Sequence, residues 1–469
     1  MKDLPIIRFG KVYESEEKRE IINVRHGVND LISVAIPLVF NTDIKRNRKE
    51  VSARLRKTDV HVILDWIKKA GKIFATEDVM INGELQSPKE YCEKVHQVTG
   101  LPRTMCIEIL NEMRIYMEEM EDILCKQFRV ETVSCLNDFY TTFRGTGIGF
   151  APVSDIVCAV MPGNHPIVNM MWIMSFAMKF PVIIKPSFEE PYTPLRLIYS
   201  FIQAGADKEF FSYYPIEHSC LKSLVQISGC SILFGASSLK QEYGNDPRVK
   251  VYGPGNSKII IDKKYGEQVD DVVAHIGKAV LYHSGRACIS TSAVITEING
   301  EQIARKLGEK FLKFQEVDLE ADDACIAAVR DVEKANRIAM EIEKLLATGN
   351  VIDMTQDQDV VRKYNGKVYL MPKVLYCKDV REPYFGMELP FPFVMVGECN
   401  LTEIEQVIGE TLSASVLSDD IEVMENILRT AKVEKIYQGY RKSYKMDYGM
   451  PHGGFLADFL YKCKGFVIY

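Results

Sequence analysis

From about residue 156 onward, short runs of β-branched and other apolar residues alternate with stretches whose apolar positions recur every three to four residues. That alternation is the sequence form of repeated strand–helix units around a parallel sheet. The runs predict strands over 156–160, 182–185, 210–214, 231–234 and 249–252, with helices over 166–179, 194–203 and 219–228, and a continuation of the same sheet at 258–262. A second series opens with a helix over 269–282, enters a strand at 292–296 and returns to helix at 303–314. It continues with strands at 325–329, 368–375 and 391–396 and helices at 332–346 and 404–411. The expected divisions are 1–261, 262–436 and a C-terminal return over 437–469, with no internal repeat. Upstream of about residue 140 the pattern is less legible and mostly helical in the middle: Leu110, Met113, Met117, Met120 and Leu124 recur at alternating steps of three and four, one apolar helix face. The stripe lasts only about two heptads, so it reads as core packing rather than a coiled-coil seam. The longest apolar stretch, 167–184, is broken by Asn169, Lys179 and Pro181 and reads as a helix followed by a strand, not a membrane span.

At 469 residues and 47% hydrophobic side chains, the chain can bury a large core over two or three domains. Its net charge of -6 is spread over mixed signs, which argues against a polyanion-binding face, and the basic run 41–57 reads as solvated surface. Nucleic acid is therefore not an expected partner. The twelve cysteines include no CxxC pair and no Cys/His cluster at zinc spacing, so neither disulfides nor a metal are expected, and reduced thiols fit a cytoplasmic protein. The first ten residues interrupt their apolar positions with Lys2, Asp3 and Arg8 and do not read as a signal peptide.

Cys288 follows a glycine turn, Ser284, Gly285, Arg286, Ala287, between a predicted helix and a predicted strand. A thiol there can stay reachable among backbone N–H groups that favour a thiolate, although most cysteines are simply small buried hydrophobes. Upstream, Met161, Pro162, Gly163, Asn164, His165 and Pro166 hold an asparagine in a turn ahead of a long apolar helix. Lys185 with Pro186, Gly235 with Ser237, and Gly253, Pro254, Gly255 each follow a predicted strand. Gly145, Gly147 and Gly149 suggest a dinucleotide fingerprint, but Pro152 follows and no helix opens there, so a turn between strands is expected.

In this order the motifs resemble the aldehyde dehydrogenase superfamily. The resemblance implies an α/β fold of two doubly wound domains, a cofactor-binding one within 1–261 and a catalytic one within 262–436, plus a small oligomerisation extension. It implies Cys288 as nucleophile, with the Asn164 amide and the Cys288 N–H as oxyanion hole. Lys185, followed by Ser187, matches the residues at the adenosine ribose, and Gly235 with Ser237 the turn at the pyrophosphate. Where many members carry a ribose-binding glutamate this chain has Phe188, so NADPH is expected and NADH admissible, with Glu189 and Glu190 close by. Glu388, in Glu388, Leu389, Pro390, Phe391, Pro392, resembles the residue at the nicotinamide ribose; Glu382 is a rival one residue out of step. Pro451, His452, Gly453, Gly454 and Phe455 resemble the loop that closes the substrate tunnel, with His452 on the substrate side.

Tyr252 stands where the hydrolytic members carry the glutamate that activates water, and a phenol with a pKa of about 10 is a poor base at neutral pH. From about Phe150 onward the chain resembles the long-chain acyl reductase family associated with bacterial luciferase (LuxC type). That resemblance implies reduction of a fatty acyl thioester, on CoA or on a protein, to the aldehyde through a Cys288 thioacyl enzyme. It also implies an acyl-protein synthetase as partner and a homo-oligomer joined through the Gly145 to Gly149 segment and residues 465–469. The alternatives are a CoA-independent aldehyde dehydrogenase, a cysteine hydrolase with His283 or His165 as base, and a non-catalytic relative.

Overall fold

The computed structural model describes residues 2–235 and 237–467, without the side chains of Ser237 and Ser238. The chain divides into two units: one built from the residues up to Thr99, from Cys106–Gly253 and from Tyr448 onward, the other from Gly100–Met105 and Pro254–Asp447.

The first unit holds a seven-stranded sheet in the order Val249–Tyr252, Gly229–Phe234, Ile156–Val160, Val182–Lys185, Phe211–Tyr213, Ile6–Arg8, Lys11–Tyr13. The first five strands are parallel and the last two add antiparallel. Parallel strands are covered on both faces and can be apolar at every position, as Val182, Ile183 and Ile184 are. The helix Met170–Ala177 is buried at all eight residues. Chain order reverses on either side of Ile156–Val160, a topological switch point, and open α/β sheets bind ligands at the carboxyl ends of strands beside such a point. Lys185 ends one of these strands, and Asn164 and Gly235 follow the carboxyl ends of two others.

The second unit repeats the plan: Val351–Asp353, Lys373–Cys377, Phe393–Glu398, Thr291–Thr296, Ser257–Ile261, Thr411–Leu417, Val433–Gln438, parallel except at the first pair. Alternation along Ser257–Ile261 sends Ile259 and Ile261 to one core and Ile260 to the other. The first core is closed by the helices Val269–Leu281 and Gly300–Leu312.

Several expectations change. The strand expected at 258–262 pairs with Thr291–Thr296 and Thr411–Leu417, so it belongs to the second sheet and the chain crosses over at Pro254 rather than at 262. Residues 437–447 stay with the second unit; from Tyr448 the chain returns to the first, where Tyr461–Phe466 pairs antiparallel with Thr146–Pro152. The glycine-rich segment is thus a strand between Tyr461–Phe466 and Tyr140–Phe143, while Ile468 and Tyr469 lie outside the described residues. The helix expected over 404–411 is only Ile404–Val407, and Thr411 opens a strand. The methionine stripe lies on two helices, Arg103–Glu118 and Met120–Phe128, and its five residues are buried. Among the described residues no helix is long and apolar enough to cross a membrane.

Candidate active site

In the second unit the chain leaves the helix Val269–Leu281 through three successive left-handed residues, His283 (φ 47°), Ser284 (φ 57°) and Gly285 (φ 66°). Non-glycine residues in this region cost about 1–3 kcal/mol each and persist only where surroundings hold them. Here Ser284 Oγ accepts the Ala327 N–H at 2.8 Å and Arg286 donates to the Ala328 carbonyl at 2.6 Å. Gly285 is required twice over, because a Cβ there would also strike the Phe391 backbone. The turn delivers Cys288 just ahead of Thr291–Thr296, with its carbonyl accepting from Ser257 Oγ at 2.9 Å. Gly255 packs directly on that carbonyl, where a Cβ would overlap it.

Glu388 lies in the same neighbourhood. Its Oε2 accepts the N–H groups of Gly255 at 2.8 Å and Asn256 at 2.9 Å. Desolvation lifts its carboxyl to about 7 against the pull of these two donors and of Lys258. Part of the Cys288 surface is accessible, yet loss of solvent, reinforced by the Glu388 charge, pushes its thiol up to about 12, while Lys435 pulls the other way. The rival Glu382 instead accepts from Asn350 Nδ2 at 2.6 Å on an exposed loop.

In the first unit, Asn164 is exposed on the loop after Ile156–Val160, a loop tied down by the Met161 N–H donating to the Lys185 carbonyl at 2.8 Å. Burial lowers the Lys185 amine to about 8, and its Nζ stands 5.5 Å from the Phe188 ring centroid. Ser187 Oγ accepts the Glu189 N–H at 3.1 Å, and Gly163 leaves room for that loop, since a Cβ would meet Ser187 and Glu189. Glu190 is turned inward, 2% exposed, with Oε1 accepting the Thr193 N–H at 2.8 Å. Gly235 donates its N–H to the Tyr252 carbonyl at 3.1 Å. Ser237 begins the helix Ser237–Tyr243, and its side chain lies outside the described residues.

Tyr252 is buried, stacked on Phe234 with centroids 5.2 Å apart, and meets the His452 ring edge-on at 4.5 Å. Of the two histidines considered as a hydrolase base, His283 is buried against Tyr282 at 3.8 Å, and desolvation takes it down to about 3. It is neutral at physiological pH and too weak a base to hold a proton there. His165 caps a turn, its Nδ1 accepting the Ile167 N–H at 3.2 Å.

The sequence model of the aldehyde dehydrogenase family matches residues 108–459. The chain belongs to the aldehyde dehydrogenase family. Its members are oxidoreductases that act on aldehydes with NAD(P). Human aldehyde dehydrogenase 1A1 is 22% identical over 301 residues, 61% of this chain and 54% of that protein, so the chain spans about half the length of the curated relative it matches. A salicylaldehyde dehydrogenase from Pseudomonas putida G7, solved with salicylaldehyde, superposes with a TM-score of 0.77 at 13% identity, over 100% of this chain and 98% of that one. Lactaldehyde dehydrogenase from Escherichia coli does so with 0.76 at 13%, over 99% of each chain. At such identities the structures speak for the aldehyde dehydrogenase fold alone.

The sequence reading missed Lys435. It lies on Val433–Gln438, opposite Ser413, one strand beyond the Leu412 N–H that donates to the Gly255 carbonyl at 2.8 Å. The side chain is 1% exposed, with Nζ against Met446 Sδ at 3.0 Å and the Asp447 carbonyl at 3.2 Å. Burial lowers this amine and the Cys288 charge favours its protonated form.

Proposed function

We propose that this chain oxidises an aldehyde to the acyl level through a covalent adduct on Cys288. The observation that carries the proposal is the pairing of a thiol on a strained turn with a carboxylate near pKa 7, both set against the bare backbone of Gly255. The Cys288 sulfur attacks the aldehyde carbon, and its proton passes to Glu388, a base matched to neutral pH. The developing oxyanion takes the Cys288 N–H. Loss of hydride leaves an acyl group on the sulfur; Glu388 releases its proton to solvent and then serves as base for water attack, which frees the acid and the thiol.

The nucleotide residues are Lys185, Ser187, Gly235 and Ser237. Their fit rests on a desolvated amine at the end of Val182–Lys185 and a glycine, Gly235, after Gly229–Phe234, the strands on either side of Ile156–Val160, with no acid at position 188 and Glu190 turned away. NAD(P) bound there supplies the hydride acceptor, and the lean is to NADP(H).

Tyr252 favours a second reading. Packed between Phe234 and His452 it offers no water-activating carboxylate, so the thioacyl group would pass to a thiol, or run in reverse as reduction of an acyl-CoA or acyl-protein. That is the LuxC-type activity, with an acyl-protein synthetase as donor and a homo-oligomer built through Thr146–Pro152 and Tyr461–Phe466.

The test follows reduced-nicotinamide absorbance with an aldehyde panel and NAD(P)+, with and without CoA, and with acyl-CoAs and NAD(P)H. Oxidation without CoA supports the first reading. Turnover only with CoA or acyl-CoA transfers the conclusion to the second. Full activity in Cys288→Ala would overturn both.

A further inference from the structure

Arg19 belongs to none of the roles above. It lies on Lys18–Ile22, fixed by antiparallel pairing with Ile32 of Val28–Ser33. Its guanidinium carbon stands 4.6 Å from the centroid of the Phe188 ring, the same ring that Lys185 Nζ approaches to 5.5 Å. One guanidinium nitrogen donates to both carboxylate oxygens of Glu217, at 2.8 and 2.7 Å. Arg19 is half exposed and Glu217 39% exposed, so water screens this pair and a stronger anion can replace the carboxylate. The charges also act on Lys185, Glu217 favouring its protonated form and Arg19 opposing it, which places both around one amine.

A planar guanidinium on an aromatic face, already engaged with a carboxylate, is arranged to take a phosphate equally well. The acid that would compete for a ribose hydroxyl is missing at Phe188, and Glu190 points into the core. We propose that Arg19 is the residue that selects the nucleotide, receiving the 2'-phosphate of NADP(H) in place of Glu217. The inference rests on Lys185 marking the adenosine ribose.

Equilibrium binding of NADPH, NADH, 2',5'-ADP and 5'-AMP tests it, read by nicotinamide fluorescence and calorimetry. Wild-type protein is expected to bind NADPH more tightly than NADH, and 2',5'-ADP more tightly than 5'-AMP. Arg19→Ala is expected to weaken both 2'-phosphorylated ligands roughly tenfold and to leave NADH and 5'-AMP within about twofold. Glu217→Gln, which keeps the shape and removes the competing charge, is expected to tighten NADPH about threefold. Equal loss for phosphorylated and unphosphorylated ligands in Arg19→Ala, or no loss, overturns the assignment. A wild type that prefers NADH overturns it too, while leaving the Lys185 reading in place. A wild type that binds none of the four ligands overturns both together.

Discussion

At the scale of single residues the two groups around Cys288 make separable predictions. The carboxyl of Glu388 sits at about 7 in the folded chain against about 4.3 unfolded, so the folded state binds the extra proton between those values. This contribution to stability is therefore fully present below about pH 4 and is lost as pH rises from there through 7, by up to about 4 kcal/mol. Glu388→Gln keeps an acceptor for Gly255 and Asn256 without the charge. It should melt higher than wild type at pH 8 and the same at pH 4, while losing at least about a hundredfold in turnover. Equal melting temperatures at pH 8 would contradict the raised carboxyl. Lys435 is the opposite influence on the thiol. In Lys435→Met, alkylation of Cys288 by iodoacetamide at pH 8.5, followed by peptide mass spectrometry, should slow roughly tenfold. An unchanged rate would remove Lys435 from the site. The placement of Cys288 after a glycine turn and of Lys185 and Gly235 at strand ends was legible, because glycine turns and apolar strand runs mark those places in the sequence. Lys435 was not, because a lysine in a strand reads as a solvent-facing position, and only its pairing opposite Ser413, where it is buried, reverses that reading.

At the scale of elements the turn over 283–285 is the most exacting piece of backbone. Gly285→Ala meets both a left-handed φ and the Phe391 backbone, so urea unfolding should show a loss of about 2–4 kcal/mol. Gly349, at φ 76° with open space around its Cβ direction, is the control: Ala there should cost only about 1 kcal/mol. Comparable losses at the two sites would show that the Phe391 contact contributes little. The five parallel strands of the first sheet were legible because apolar residues dominate them, whereas Ile6–Arg8 and Lys11–Tyr13 were too short to stand out. Thr411–Leu417 and Val433–Gln438 were not: the former carries Ser413 and Ser415 inside the core, and the latter carries two adjacent charges, Glu434 and Lys435, of which the lysine is buried. The strand Ser257–Ile261 was legible as an element, but its sheet was not, because neither its length nor its pattern records which neighbours it will pair with.

At the scale of the whole molecule the two units differ in how they are assembled from the chain. Every strand of the second seven-stranded sheet lies within 257–438, so an isolated 254–447 fragment should fold with a single cooperative thermal transition in far-UV circular dichroism. Removing Gly100–Met105 would cost it little beyond the Gly100 carbonyl that accepts from Ala328. A fragment without a melting transition would show that the unit needs the rest of the chain. The first unit has no such continuous stretch, because Thr146–Pro152 takes Tyr461–Phe466 as its partner. On a ribosome that partner emerges roughly 300 residues later, a delay of about 15–60 s at ordinary elongation speed. For all that time one side of a strand carrying Ile148 and Phe150 offers its backbone groups to any neighbouring nascent chain, while the later-encoded unit can already finish folding. Synthesis order and folding order are thus reversed in this protein, and the unit that starts first is the last to close.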